Sequence, residues 1–193
     1  MPFIVGIAGG SASGKTTFCH ALAETLDGYN INVFHMDHYF KADEQLPRAK
    51  APIADKEYPD HNHPDTIDFP RLLDAISQTK QSTEIILIEG ALAFAFKEIY
   101  SQCDLKIYID CQVDERIVRR LKRYYSGAWG NVTVDEIFGY MSDIYLDLVR
   151  YRHDEYVEPS KWRADMILNG SMPSEKALEM VRDYILSKIG GAV

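Results

Sequence analysis

The chain has 193 residues, 46% hydrophobic and 26% charged, with a formal net charge of −8. That size and balance fit one globular domain with a sizeable core, and an acidic chain is a poor general binder of nucleic acid, because phosphate contacts need a basic face. No apolar run approaches the roughly 20 residues that span a bilayer, and the apolar stretch Phe3–Ala8 has no basic region before it and is too short for a signal peptide.

Cys19, Cys103 and Cys111 show no metal-binding spacing. They read as reduced thiols, and the expectation is a cytoplasmic protein without a nucleic-acid or membrane partner.

Taken in order, Phe3–Ile7 is a short apolar run, read as a buried strand. A glycine-rich turn follows. Residues Thr16–Leu26 then carry Phe18, Ala21, Leu22, Thr25 and Leu26 at helical spacing, with Gly28 as the stop. Ile31–Met36 reads as a second strand. Lys41–Thr66 is polar and holds Pro47, Pro52, Pro59 and Pro64. Structureless loops of that length are uncommon in compact domains and are often functional. The segment at about residues 38–68 is therefore expected to carry acceptor-binding residues.

Phe69–Ser77 reads as a helix, and Glu84–Ile88, Leu105–Ile109 and Met166–Leu168 as further strands. Thr133-x-x-Glu136 is a capping box. It opens a helix predicted to hold Val134, Ile137, Phe138, Met141, Ile144, Tyr145 and Leu148 on one face. Strands alternating with helices predict an α/β fold, a parallel sheet of about five strands between two helical layers. Ligands in such folds sit at the carboxyl ends of the strands. Residues 1–193 read as one domain with a small lid at about residues 119–133.

Gly9, Gly10, Ser11, Ala12, Ser13, Gly14, Lys15 and Thr16 match G-x-x-x-x-G-K-[ST], the phosphate loop of a P-loop NTPase, with Thr17 following. The glycines let the backbone wrap closely and aim N–H groups at phosphates. The helix that starts near Lys15 adds its positive dipole end. Lys15 is expected to reach the β- and γ-phosphates of ATP, and Thr16 to hold Mg²⁺ through its hydroxyl. Two predicted strands run into acids, Asp37 and Glu89. Asp37 is expected beside the loop as a general base, and Glu89 as a holder of Mg²⁺. Arg116, Arg119, Arg120 and Arg123 lie at i, i+3, i+4 and i+7 and share one helical face, while Ile117, Val118, Leu121 and Tyr125 fall on the other. The expectation is a helix packed on its apolar side, with guanidiniums on the opposite side as a phosphate clamp. Arg119 and Arg120 would serve the nucleotide, and Arg123 the transferring phosphoryl group.

Gly6–Thr16, Met36-Asp-His-Tyr-Phe-Lys41, His63-Pro-Asp-Thr-Ile-Asp68, Ile88-Glu-Gly-Ala-Leu-Ala-Phe94 and Glu158–Ile167 together resemble the motifs of the uridine/cytidine kinase and phosphoribulokinase family. The resemblance covers about Phe3 to Gly170. It implies a kinase that moves the γ-phosphate of ATP, with Mg²⁺, onto a hydroxyl of a small nucleoside or sugar-alcohol acceptor. It implies Asp37 as the base, Glu89 as the Walker-B acid, and Tyr39, Phe40, Asn62 and His63 as acceptor-site residues. The family commonly forms dimers or tetramers, so a homo-oligomer is compatible with it.

Three departures bear on the acceptor. Uridine kinases place an acid just before the His-Pro segment, where this chain has Asn62, with Asp60 close by. They carry a long hairpin before the Walker-B strand, where this chain has a few residues between Ser77 and Glu84. Their lid has an Arg-Asp pair, where Arg123 is followed here by Tyr124 and then by Gly127-Ala-Trp-Gly130. The shortened form also resembles nicotinamide riboside kinases, as does Tyr145–Arg152. Alternatives are a sugar phosphate, for which His35, His38, Lys41, Arg48 and Lys50 could supply a basic pocket, a pantothenate-like alcohol, or a nucleotide-dependent switch. An Asn-Lys-x-Asp guanine motif is missing, which argues against a GTPase. Trp129, between the lid glycines, is read either as a stacking or as a packing residue.

Overall fold

The computed structural model describes residues 1–51, 55–126 and 133–190. Trp129 and the centre of the expected lid lie outside the described residues.

The strands among them are β1 (Phe3–Gly9), β2 (Ile31–His35), β3 (Arg48–Ala51), β4 (Lys56–Pro59), β5 (Ile85–Glu89), β6 (Leu105–Asp110) and β7 (Met166–Asn169). The main sheet has the order β2-β5-β1-β6-β7, and all its pairings are parallel. The helices are α1 (Lys15–Thr25), α2 (Phe69–Thr79), α3 (Lys97–Tyr100), α4 (Val113–Tyr125), α5 (Val134–Gly139), α6 (Arg150–Arg152) and α7 (Glu175–Ile189).

Strand β5 is buried along its whole length, which is why it reads as an unbroken apolar run rather than an alternating one. Successive side chains of β1 and β5 serve opposite faces. One face holds Ile4, Ala8, Ile86 and Ile88 under Leu72 and Ile76 of α2. The other holds Val5, Ile7, Ile85 and Leu87 under Leu22 of α1 and Val181 and Ile185 of α7. Each of these large side chains contributes roughly 1.5–3 kcal/mol by leaving water. Burial pushes the Cys19 and Cys103 thiols up to about 12, so both are inert packing groups.

Three local expectations are corrected. The 41–66 segment is not structureless. It holds a 3₁₀ turn at Asp43–Gln45, the antiparallel hairpin β3–β4 and a second 3₁₀ turn at Pro64–Thr66. Leu46, Ala49 and Ala51 bury themselves against the body of the protein, which gives the hairpin a core side despite its polar sequence.

The Thr133 capping box is present: Thr133 Oγ1 accepts from Glu136 N at 3.3 Å, and Glu136 Oε2 accepts from Thr133 N at 2.8 Å. Beyond α5, however, the chain winds as π-helix over Tyr140–Val149 and again over His153–Val157. The i→i+5 bonding of a π-helix widens each turn. The apolar stripe read at 3.6 spacing therefore drifts, and Ile137, Tyr145 and Leu148 are buried while Val134 and Phe138 face outward.

Helix α4 is turned the opposite way to the sequence expectation. Its buried residues are Arg116, Arg120 and Tyr124, while Val118 and Tyr125 are exposed. In the sheet, β5 lies between β2 and β1. Asp37 is thus reached from the phosphate loop across the end of β5.

Candidate functional site

The loop between β1 and α1 is shaped by its backbone. Gly14 has φ 100° and serves as the N-cap of α1, and Ala12 is held at φ 65°, a left-handed conformation that costs a non-glycine residue energy and concentrates at ligand sites. Ser13 N donates to Gly10 O at 3.0 Å. A Cβ at Gly10 would run into the Arg116 guanidinium, so the loop and α4 are in direct contact. Ser13 Oγ is buried with no hydrogen-bond partner among the described residues.

Beneath the loop, three elements meet on one carboxylate. Glu89, at the end of β5, is 3% exposed. Its Oε1 accepts from Thr16 Oγ1 at 3.1 Å and from His35 Nδ1 at 2.7 Å. Lys15 Nζ stands 3.9 Å from Oε2, beyond hydrogen-bond length, and Oε2 is buried without a hydrogen-bond partner among the described residues. A buried, unpaired carboxylate oxygen is costly. An orphan oxygen beside a Thr hydroxyl and a Lys ammonium suits a hard divalent cation with oxygen ligands and a phosphate chain. The residues fit Mg²⁺ and a nucleoside triphosphate.

The acceptor-side residues cluster at the end of β2. Asp37 is exposed in the 3₁₀ turn Met36–Tyr39. Tyr39 and Phe40 are strapped to the segment after β4: Asp68 N donates to Tyr39 O at 2.7 Å, and Lys41 N to Thr66 O at 2.9 Å. The Phe40 ring lies 6.2 Å from that of His61, and Arg71 stands over the Tyr39 ring. His63 Nδ1 accepts from Asp65 N at 3.1 Å, and its ring meets Tyr156 edge-on at 5.3 Å. Asn62 N donates to Asp60 Oδ1 at 3.0 Å. Of the residues suggested for a basic pocket, Arg48 pairs with Glu57 at 3.2 Å, Lys50 with Asp55 at 2.6 Å, and His35 with Glu89. These pairings leave that group far less cationic than it reads.

The α4 arginines are brought to the loop but are engaged differently. Arg116 donates through Nε to Cys111 O at 3.1 Å and through Nη2 to His153 Nε2 at 3.1 Å. Arg119 donates to Gly170 O at 3.0 Å and, at 3.4 Å, to the carbonyls of Ala12 and Ser13. Arg120 donates to Tyr140 Oη at 2.7 Å. Arg123 is exposed and lines a small recess with Ser11, Arg120 and Tyr124. A larger recess of about 280 Å³ opens between the carboxyl ends of β6 and β7, lined by Asp110, Cys111, Gln112 and Ile167–Asn169 with Ser171.

Sequence reading missed the pair formed by Asp60 and Arg152. Asp60 is fully buried, and its Oδ2 accepts from Arg152 Nε at 2.7 Å. The partners lie 92 residues apart, so no local pattern announces them. It also missed His153, whose pKa is lowered by burial and by the neighbouring Arg116 cation.

Residues 5–137 match the family profile described as an AAA domain. The chain belongs to the AAA-domain family. Among the relatives of this AAA-domain chain is the uridine kinase of Deinococcus deserti, 28% identical over 214 residues that cover 97% of each chain. A solved shikimate kinase from Acinetobacter baumannii, in complex with shikimate, superposes with a TM-score of 0.52 at 16% identity, covering 99% of this chain and 96% of that one. A structure described as a possible uridine kinase from Bacillus stearothermophilus superposes with a TM-score of 0.50 at 21% identity, covering 86% and 88%. The AAA-domain chain therefore has the P-loop kinase fold read from its sequence, and the resemblance to uridine kinases holds among its relatives. No helix among the described residues is long and apolar enough to cross a membrane.

Proposed function

We propose that this protein is an ATP-dependent, Mg²⁺-requiring kinase that phosphorylates a hydroxyl of a nucleoside-like acceptor. The observation that carries the reading is the junction at Glu89. One carboxylate hydrogen-bonds Thr16 of the phosphate loop and His35 of β2, and Asp37 follows two residues later. This supports a nucleotide lying over the loop toward the β6–β7 recess and an acceptor lying toward β2 and the 38–68 segment.

In this reading Asp37 takes the proton of the acceptor hydroxyl as its oxygen bonds to the γ-phosphorus. The bond from that phosphorus to the β-phosphate bridging oxygen breaks, and ADP leaves. Lys15 and Arg123 donate to the phosphoryl oxygens during transfer. Thr16 and Glu89 would hold Mg²⁺, which when bound neutralises charge on the β- and γ-phosphates. The connection from α2 to β5 is only residues 80–84, too short for a base-gripping hairpin, so the acceptor's ring would rest on the Phe40, His61 and His63 side instead.

The test is coupled ADP release with uridine, cytidine, nicotinamide riboside, ribulose 5-phosphate and pantothenate, using wild type and Asp37→Asn. Turnover with a nucleoside, reduced roughly 10²–10⁴-fold in the variant with ATP binding intact, is the expected result. Silence with every nucleoside, or an unchanged variant, overturns the assignment.

A further inference from the structure

The geometry points to His35 as a positioning residue: its Nδ1–H holds Glu89 by Oε1 and keeps the carboxylate from collapsing onto Lys15. The inference rests on the proposed role of Thr16 and Glu89 on the metal side of the loop.

The bond is fixed by the sheet. In the parallel pairing of β2 with β5, His35 lies in register with Glu89, so the 2.7 Å contact follows from strand pairing rather than from a flexible loop. The ring is also flanked. His20 of α1 and His38 of the following turn both stand 5.2 Å from it, centroid to centroid, tilted by 37° and 57°. A carboxylate accepts only, so in this bond the proton is on Nδ1.

Glu89 needs such a hold. The last torsion of a Glu side chain is broad and nearly two-fold, and one oxygen of this buried carboxylate has no hydrogen-bond partner among the described residues. Among the described residues, Lys15 is the cation paired with that oxygen, at 3.9 Å. A small rotation would shorten this long ion pair to hydrogen-bond contact and withdraw both residues from phosphate and metal. Thr16 does not prevent this, because its hydroxyl shares Oε1 with His35 and is the group expected to turn toward the cation. Once it turns, His35 is the remaining donor on Oε1 among the described residues. Groups that orient a ligating carboxylate in this way typically contribute 10–100-fold to metal affinity.

The experiment measures Mn²⁺ binding to the protein–ADP complex by electron paramagnetic resonance, alongside ADP binding in EDTA by calorimetry. Asn places its amide N–H where Nδ1 stands, whereas Gln places it at Nε2 and Leu removes it. His35→Leu is expected to weaken Mn²⁺ binding about 10–100-fold while His35→Asn stays within about threefold of wild type, and ADP binding in EDTA is unchanged in both. If the Leu variant does not fold, as judged by loss of ADP binding in EDTA, His35→Gln carries the same comparison with Asn. Wild-type Mn²⁺ affinity in the Leu and Gln variants, or an Asn variant as weak as Leu, overturns the proposal. Glu89→Gln separates the two layers. If it loses Mn²⁺ while the His35 variants do not, only the role of His35 falls. If it also binds Mn²⁺ as wild type does, the metal-side reading falls, and this inference with it.

Discussion

His153 receives a hydrogen bond from Arg116 on Nε2, and Glu158 Oε2 lies 3.4 Å from the same nitrogen. Protonation there would set a second cation against a guanidinium in a largely buried place. Burial first, and Arg116 second, lower the His153 pKa, with Glu158 and Asp154 opposing. The folded value is thus below the unfolded one. The unfolded chain takes up a proton near pH 6.5 while the folded chain does not, so the stability contributed by neutral His153 is present above about pH 6.5 and is lost as the pH falls through the folded value. Urea denaturation at pH 7.5 and 5.5 should show a larger loss for wild type than for His153→Gln, whose amide oxygen can still accept from Arg116. Equal losses would mean that His153 does not titrate against Arg116.

Helix α4 carries the lesson about what can be read from one sequence. Its arginine stripe and its apolar stripe were both legible at 3.6 spacing, and the usual expectation is that the apolar stripe packs. Here Arg116 and Arg119 turn inward because carbonyls await them: Cys111 O, Gly170 O and the loop carbonyls of Ala12 and Ser13. Those acceptors come from other elements, and helical periodicity cannot report them. Arg116→Ala should therefore destabilise the fold by roughly 2 kcal/mol or more, since it strips donors from buried acceptors, while Val118→Ser should fall within about 0.5 kcal/mol of wild type. Thermal melts of the two variants decide it, and the opposite ranking would restore the outward arginine face.

The same contrast separates what was legible elsewhere. The strands, the phosphate loop and the Thr133 cap are local patterns, and they appear within a residue or two of where the sequence places them. The β3–β4 hairpin, the π-wound stretch and the position of β2 beyond β5 depend on contacts between distant residues. At the site, Thr16 and Glu89 were both legible as strand- and loop-end chemistry. The meeting of His35 with Glu89 was not, because it follows from the strand order.

At the scale of the whole molecule, the run from Tyr140 to Arg163 fastens α4, β6 and the 38–68 segment together. It meets α4 through Arg120–Tyr140 and Arg116–His153, β6 through Lys161–Asp110 at 2.7 Å, and the 38–68 segment through Arg152–Asp60 and Tyr156–His63. Arg152→Ala would leave Asp60 as an uncompensated buried charge and should cost about 3 kcal/mol, an amount largely recovered by adding Asp60→Asn. Chemical denaturation of the two single variants and the double variant tests this, and an additive double variant would mean that the pair does not act as a unit.

The sheet order also bears on how the chain is made. β1 leaves the ribosome well before both of its neighbours, Ile85–Glu89 and Leu105–Asp110. At roughly 5–20 residues per second of synthesis, the segment Phe3–Gly9 waits several seconds with both edges unpaired and its apolar side chains in water. The strand that carries the phosphate loop is thus open to aggregation while synthesis continues.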